Sequence, residues 1–113
     1  MIYHDRVTVV CKEKSGGRVT EAFDGSVPAI VTPLPANVNF DPAGSTVTTR
    51  LHIVLKPFSY LIPANAGSIP PAAEGATQIL FAWGPYPTLL LDGRVERHLL
   101  RGRLHHYEAI VKI

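Results

Sequence analysis

The residues with the greatest chemical potential lie at the C-terminal end, in residues 92–113, which read DGRVERHLLRGRLHHYEAIVKI. Three of the five histidines are here: His105 and His106 stand beside Glu108, and His98 is nearby. Imidazole and carboxylate are both ligands of protein-bound Zn²⁺. Successive residues of a strand face opposite sides, so His105 and His106 cannot easily share an ion, and His106 with Glu108 supplies only two ligands. The sequence therefore predicts no metal site and no cofactor.

The same segment contains a basic cluster, formed by Arg94, Arg97, Arg101 and Arg103. Guanidinium groups bind carboxylates and phosphates, so the cluster fits an acidic protein partner or DNA phosphates, and equally a solvated face. Small barrels that bind single-stranded nucleic acid usually add aromatic side chains on which the bases stack. Here the aromatic residues are scattered and mostly fit core or turn positions. The net charge of +2 neither requires nor excludes nucleic acid, but the scattered aromatic residues make an oligonucleotide-binding barrel the weaker interpretation.

No catalytic arrangement is evident in the sequence. The hydroxyl residues lack the pattern of a nucleophile elbow, and Gly16-Gly17 leads into a strand instead of a phosphate-binding helix. Cys11 is the only cysteine, which excludes an intrachain disulfide, and its place in an apolar alternation predicts a small buried thiol. We therefore expect a protein that is not an enzyme.

Short strands must position these residues. The 113 residues are 46% hydrophobic and 18% charged, which is typical of one globular domain spanning 1–113. Ten prolines and nine glycines disfavour long helices. Alternating apolar residues predict strands at 2–12, 46–56, 78–83 and the C-terminal end, with shorter strands at 18–23, 27–32 and 88–91. Residues 94–100 fit a strand or one helical turn.

Two stretches, 34–45 and 58–77, lack a usable period and are predicted to be long loops, the second with room for a short strand at 59–62. The total is six to eight short antiparallel strands, which predicts an all-β barrel or sandwich. No apolar run approaches the roughly 20 residues that span a bilayer. The N-terminus has an acid and a base inside its apolar pattern, so we expect neither a signal peptide nor a membrane partner.

The layout of these elements resembles a known family. An opening DRVTVV strand precedes AIVTP, then TVTTRLHIVLKP, a turn-flanked TLLLDGRVER and a closing GRLHHYEAIVKI. This order is similar to that of the head-closure or stopper proteins, the small head-to-tail connectors in the neck of long-tailed bacteriophages, especially phages of actinobacteria. The similarity covers most of the chain, is weakest over 58–77, and consists of strand and turn patterns.

The resemblance implies a structural protein of the virion neck, assembled in the host cytoplasm. Such barrels form a ring, here of sixfold or twelvefold symmetry, below the portal and adaptor and above the tail terminator and tail tube. They help to retain packaged double-stranded DNA without reading its sequence. Two alternatives stay open: a tail-terminator protein, whose family mixes helices with its sheet, and a small barrel that binds single-stranded nucleic acid.

The resemblance also implies site residues. In the family, the loop after a V-x-P pattern narrows the channel, and Val31-Thr32-Pro33 matches that pattern. The expected channel-loop residues are Leu34, Asn37, Asn39, Phe40 and Asp41. Residues 34–45 contain no lysine or arginine, which suits a channel through which DNA must later pass. The stretch 58–77 departs from the family pattern and is expected to reach a neighbouring subunit or the adaptor. The expected contacts with subunits and partners are Phe58, Tyr60, Arg94, Arg97, Arg101, Arg103 and His105.

Overall fold

A computed structural model of the chain describes residues 2–35, 37–41, 44–67 and 73–113, and within 37–48 it describes the backbone. These residues contain strands and no helix, and so no helix that could cross a membrane. The strands are β1 Asp5–Ser15, β2 Arg18–Pro33, β3 Asn37–Asp41, β4 Gly44–Thr48, β5 Arg50–Leu55, β6 Thr77–Trp83, β7 Tyr86–Leu91, β8 Glu96–Leu100 and β9 Arg103–Lys112.

Six of the strands close into a barrel in the order β1, β2, β5, β9, β7, β6 and back to β1, with every neighbour antiparallel. Closure occurs at β5, because Leu55 pairs with Ala29 of β2 on one edge and with Tyr107 of β9 on the other. The prediction of a small all-β barrel is confirmed. Two further elements stand outside the closed barrel: the β3–β4 hairpin and strand β8.

Strand β2 is one continuous strand of 16 residues, whereas the sequence predicted two strands separated by Asp24-Gly25-Ser26. Its pairing with β1 shifts register between Cys11, which pairs with Phe23, and Lys12, which pairs with Glu21. A bulge of this kind bends a strand and increases its twist, so one long strand can follow the barrel wall. The prediction was wrong because turn-forming residues also occupy strands when a neighbouring strand pairs with them.

The predicted loop 34–45 is largely a β-hairpin. Strand β3 pairs with β4 in a separate two-stranded sheet, from Asn37 opposite Thr48 to Asp41 opposite Gly44. The predicted strand 46–56 is correspondingly divided between β4 and β5 at Thr49. Main-chain hydrogen bonds between adjacent segments can form a hairpin even where the sequence has no apolar period. The sequence pattern therefore did not predict this hairpin.

The core fills the inside of the barrel with alternate residues of every wall strand. The apolar sides of β1 and β5 face inward: Val7, Val9 and Cys11 are buried on β1, and Leu51, Ile53 and Leu55 on β5. The other buried wall residues are Val27, Ala29, Ile79, Phe81, Leu89, Leu91, Tyr107, Ala109 and Val111. Their removal from water is the main favourable contribution to folding, at roughly 25 cal/mol per Å² of apolar surface.

Residues 58–67, the cap segment, cover one end of the barrel. The Phe58 ring packs between Phe23, with centroids 4.7 Å apart, and Tyr107, at 5.9 Å. Ile62 and Ala66 are buried, and the Ile62 amide donates to the Tyr107 hydroxyl at 3.3 Å. The cap segment contains no strand at 59–62. An irregular segment thus serves as part of the core.

Candidate functional site

Strands β8 and β9 form a hairpin that extends from the barrel, and residues 96–108 are here called the arm. Strand β8 pairs with the first half of β9, from Glu96 opposite Glu108 to Leu100 opposite Arg103. The connecting residues Arg101 and Gly102 have φ values of 52° and 77°. A two-residue type I′ turn requires positive φ at both central positions, and glycine adopts it without steric cost.

The tip of the arm is apolar and basic at once. Leu99 and Leu100 are 64% and 58% exposed, and Arg101 and Arg103 beside them are also exposed. Within the described residues, no hydrogen bond or ion pair occupies the guanidinium groups of Arg94, Arg101 and Arg103. The structure therefore brings three of the four predicted arginines to the surface with free donors.

Arg97 differs from the other three arginines. Its guanidinium donates to the carbonyl oxygen of Ile62 through Nε, at 3.1 Å, and through a second nitrogen. Ile62 is buried in the cap segment. Arg97 consequently joins the arm to the cap of its own barrel, which gives this side chain a role within the subunit.

Strand β8 is also an edge strand. Among the described residues it pairs only with β9, so the other edge of Glu96–Leu100 offers main-chain donors and acceptors. Edge strands of this kind are surfaces on which another chain can pair. The arm therefore combines a free edge, two exposed leucines and unpaired guanidinium groups.

A cluster of histidines and glutamates lies on the outer face of the barrel at the base of the arm. We call it the His/Glu cluster; its members are His52 of β5, Glu96 and His98 of β8, and His106 and Glu108 of β9. His98 lies directly opposite His106, and Glu96 opposite Glu108. The two imidazole rings stack with centroids 4.6 Å apart. Three strands thus place five polar side chains around one point.

The Glu108 carboxylate is the centre of this cluster. Its Oε2 lies 2.6 Å from His98 Nε2 and 3.3 Å from His106 Nε2, and its Oε1 lies 2.9 Å from His52 Nε2. Desolvation would raise the pKa of Glu108, but the hydrogen bond from His106 and the nearby His98 and His52 charges outweigh it and lower the pKa. The carboxylate is therefore held in its ionised form.

A groove of about 530 Å³ runs beside the cluster. It lies where pairing of β7 with β9 stops, at Leu91 opposite Val111, and pairing of β8 with β9 has not yet begun. The groove is lined by His52, Asp92, Gly93, Arg94, Glu96, Glu108, Ala109 and Ile110. Solvent and small solutes therefore have access to the Glu108 carboxylate.

The expected channel residues lie at the β3–β4 hairpin. Leu34 precedes the hairpin, and its amide donates to the Arg50 carbonyl at 3.0 Å. Asn37, Asn39, Phe40 and Asp41 all belong to β3, and their side chains lie outside the described part of the structure. Their assignment to a channel stays a prediction.

Two more of the expected partner contacts, besides Arg97, are engaged within the subunit. Phe58 packs on Phe23 and Tyr107, and the Tyr60 hydroxyl donates to the Glu13 carboxylate. His105 is exposed on the arm, with its Nδ1 at 2.8 Å from His106 Nδ1.

Sequence reasoning noted His98 near His106 and Glu108 but did not predict its contact with Glu108. It missed the contributions of His52 and Glu96 to the same cluster. The only available signal was the alternation of side chains along each strand, which places His52 on the polar side of its strand and Glu108 on the polar side of its own. The register that sets His98 against His106 depends on the bulge between His98 and Leu99, which the sequence does not specify.

The fold and the site define a class, a closed six-stranded β-barrel with a two-stranded hairpin and a basic arm outside the barrel. Comparisons of the chain with protein-family models, curated proteins and solved structures found no match.

Proposed function

We propose that this chain is a non-enzymatic structural protein of a tailed-phage virion, a head-to-tail stopper. In this proposal the barrels assemble as a ring under the portal and adaptor, help to retain the packaged DNA and join the tail. The resemblance in the order of strands and turns supports it, and so does the closed barrel, which is the architecture that the resemblance implies.

The arm is the observation that carries the proposal. A closed barrel has no free strand edge, so a further subunit can add strand pairing only at elements outside the barrel wall. The arm offers the unpaired edge of β8 together with Leu99 and Leu100. Full burial of an exposed leucine contributes about 1.5–3 kcal/mol. Because Leu99 and Leu100 are 64% and 58% exposed, burial of the remainder supplies roughly 2–4 kcal/mol toward association before its entropic cost. A surface with these properties favours assembly with protein.

The β3–β4 hairpin is the proposed channel element. It forms its own two-stranded sheet between β2 and β5, and the chain has a radius of gyration of 15.2 Å, against about 13 Å for a compact domain of 100 residues. An element outside the compact barrel suits a projection into the centre of a ring. The absence of lysine and arginine from 34–45 removes the phosphate contacts that would hold DNA back.

The alternative of a barrel that binds single-stranded nucleic acid has less support. Phe23, Phe58 and Tyr60 pack against the core, and Tyr107 is fully buried, so these rings are not free to stack on bases. The tail-terminator alternative is disfavoured because the described residues contain no helix.

The proposal is tested by adding purified protein to phage particles that end at the adaptor and measuring incorporation by mass. Wild-type protein should be a monomer alone and should join the particles. The double variant Leu99→Ser/Leu100→Ser should stay a folded monomer and fail to join. The matched control is Ile2→Ser/Val19→Ser, which also replaces two exposed apolar residues but away from the arm. Full incorporation of the arm variant would contradict the proposed role of the arm.

Two further measurements separate the functions. Failure of the wild type to join, with tight and salt-sensitive binding to single-stranded DNA, would favour the nucleic-acid alternative. Replacement of residues 34–45 by a short Gly-Ser linker should leave ring assembly intact and produce heads that leak DNA. Unchanged DNA retention would refute the channel assignment.

A further inference from the structure

We propose that the His/Glu cluster is a binding site for a divalent transition-metal ion, best suited to Zn²⁺, with His98, His106 and Glu108 as its protein ligands. This inference is independent of the stopper proposal. It departs from the expectation drawn from the sequence, in which His106 and Glu108 lacked a third ligand. Strand pairing supplies that ligand as His98, directly opposite His106.

The donor atoms have the separation that a shared ion needs. One ligand atom from each of His98, His106 and Glu108 lies within 4.8 Å of both others. Ligands at about 2.0–2.1 Å from a tetrahedral Zn²⁺ lie roughly 3.4 Å from one another. The separation between His106 Nε2 and Glu108 Oε2 is 3.3 Å, and that between His98 Nε2 and Glu108 Oε2 is 2.6 Å. Of these two distances, the second must lengthen to admit the ion.

The backbone that holds these ligands is already ordered by pairing. His106 and Glu108 lie on β9, which pairs with β5 on one edge and with β8 on the other. Their side chains alternate outward with the buried Tyr107 and Ala109, so the core determines their direction. A site on paired strands binds an ion without the entropic cost of ordering a loop.

One nitrogen of His98 faces two carboxylates of the cluster. His98 Nε2 lies within bonding distance of both Glu96, at 3.1 Å, and Glu108, at 2.6 Å. The nitrogen has at most one proton, which points best at one acceptor. A cation at this position interacts favourably with both carboxylates, and Glu96 lies close enough to His98 to serve as a fourth ligand.

The neighbouring side chains fit a second layer around an ion. Metal-bound histidines usually donate their other ring N–H to a nearby acceptor, which fixes the tautomer. When Nε2 of His106 binds the ion, its Nδ1 has the proton, and His105 Nδ1 at 2.8 Å is positioned to accept it. His52 in turn contacts the other carboxylate oxygen of Glu108, at 2.9 Å.

The choice of metal follows from the donors. Two imidazoles and a carboxylate suit Zn²⁺ and other first-row ions with affinity for nitrogen, whereas Mg²⁺ and Ca²⁺ prefer all-oxygen sites. The adjacent groove leaves the ion open to solvent on one side. A bound ion would connect β8 to β9 and so hold the arm at a defined angle to the barrel.

The test is titration calorimetry of tag-free, EDTA-stripped protein with Zn²⁺, and with Co²⁺ monitored by its visible absorption. We expect saturation at one equivalent and a Co²⁺ spectrum of tetrahedral or five-coordinate type. His98→Gln and His106→Gln should each weaken binding by more than about 100-fold, beyond the 10- to 100-fold typical of losses in the second layer. His105→Gln should weaken it by about tenfold. His4→Gln, which replaces an exposed histidine away from the cluster, should leave it unchanged.

Each outcome decides the question. Circular dichroism in EDTA checks the fold of each variant, and because His98 is half-exposed on the arm, His98→Gln provides the result if His106→Gln fails to fold. Absence of saturable Zn²⁺ binding by the wild type would overturn the inference. Equal binding by wild type and His98→Gln would overturn it as well, since the ion would then lie elsewhere on the chain.

Discussion

Phe58→Ala tests whether the cap segment belongs to the barrel core or instead contacts a partner protein. The sequence suggested that residues 58–77 reach a neighbour. In the structure the Phe58 ring contacts Phe23 at 4.7 Å and Tyr107 at 5.9 Å between centroids. If these contacts stabilise the isolated subunit, truncation of the ring must lower its free energy of unfolding.

The magnitude follows from the burial of this ring. Truncation of a fully buried Phe to Ala costs about 3–5 kcal/mol. Phe58 is half-buried, which reduces the lost transfer energy, but each tilted ring pair adds about 0.5–1.5 kcal/mol. We expect a loss of about 2–3 kcal/mol, a large part of the roughly 5–15 kcal/mol of a typical domain. At about 4–8 °C per kcal/mol for a small domain, the Tm falls by about 10 °C or more.

The assay is urea unfolding of the monomer, followed by Trp83 fluorescence and circular dichroism. Leu61→Ala is the matched control, because Leu61 lies in the same segment but is 61% exposed, and its replacement should change the free energy of unfolding by no more than about 0.5 kcal/mol. Equal stability of Phe58→Ala and Leu61→Ala would refute the assignment of the cap segment to the core and would favour its expected contact with a neighbouring subunit or the adaptor.

Two other predictions concern the same interior. Tyr107→Phe removes the acceptor of the Ile62 amide and should lower the free energy of unfolding, measured in urea, by about 1–2 kcal/mol. The control Tyr86→Phe, at the opposite end, should be nearly neutral. Equal effects of the two variants would contradict the cap hydrogen bond. Burial raises the pKa of the Cys11 thiol to about 12, with a smaller contribution from the Glu13 charge. A thiol reagent at about pH 8 should therefore modify Cys11 of the native protein only as fast as the protein unfolds. Rapid modification without denaturant would refute this prediction. Since the folded pKa of Cys11 is raised above its usual 9.0, its contribution to stability is complete below about pH 9 and decreases as the pH rises toward 12.

The alternation of apolar residues was sufficient to predict the barrel walls. Val7, Val9 and Cys11, or Leu51 and Ile53, repeat at the period of a strand, and one-sided burial enforces that period. The extent of individual strands was less predictable. Asp24-Gly25 reads locally as a turn, yet it pairs with β1 inside the 16-residue β2, because tertiary pairing outweighs local preference.

The candidate sites divide in the same way. The sequence by itself determined which residues are basic, apolar or metal-binding in type. It also determined that His106 and Glu108 share a face, because the alternation of side chains along one strand is a local property. Only the tertiary structure decided that His52 and His98 meet Glu108 and that Arg97 is bonded to the cap segment. These contacts join residues that are 10 to 56 positions apart in the chain. Their formation depends on barrel closure and on strand register, which arise from the packing of the whole core.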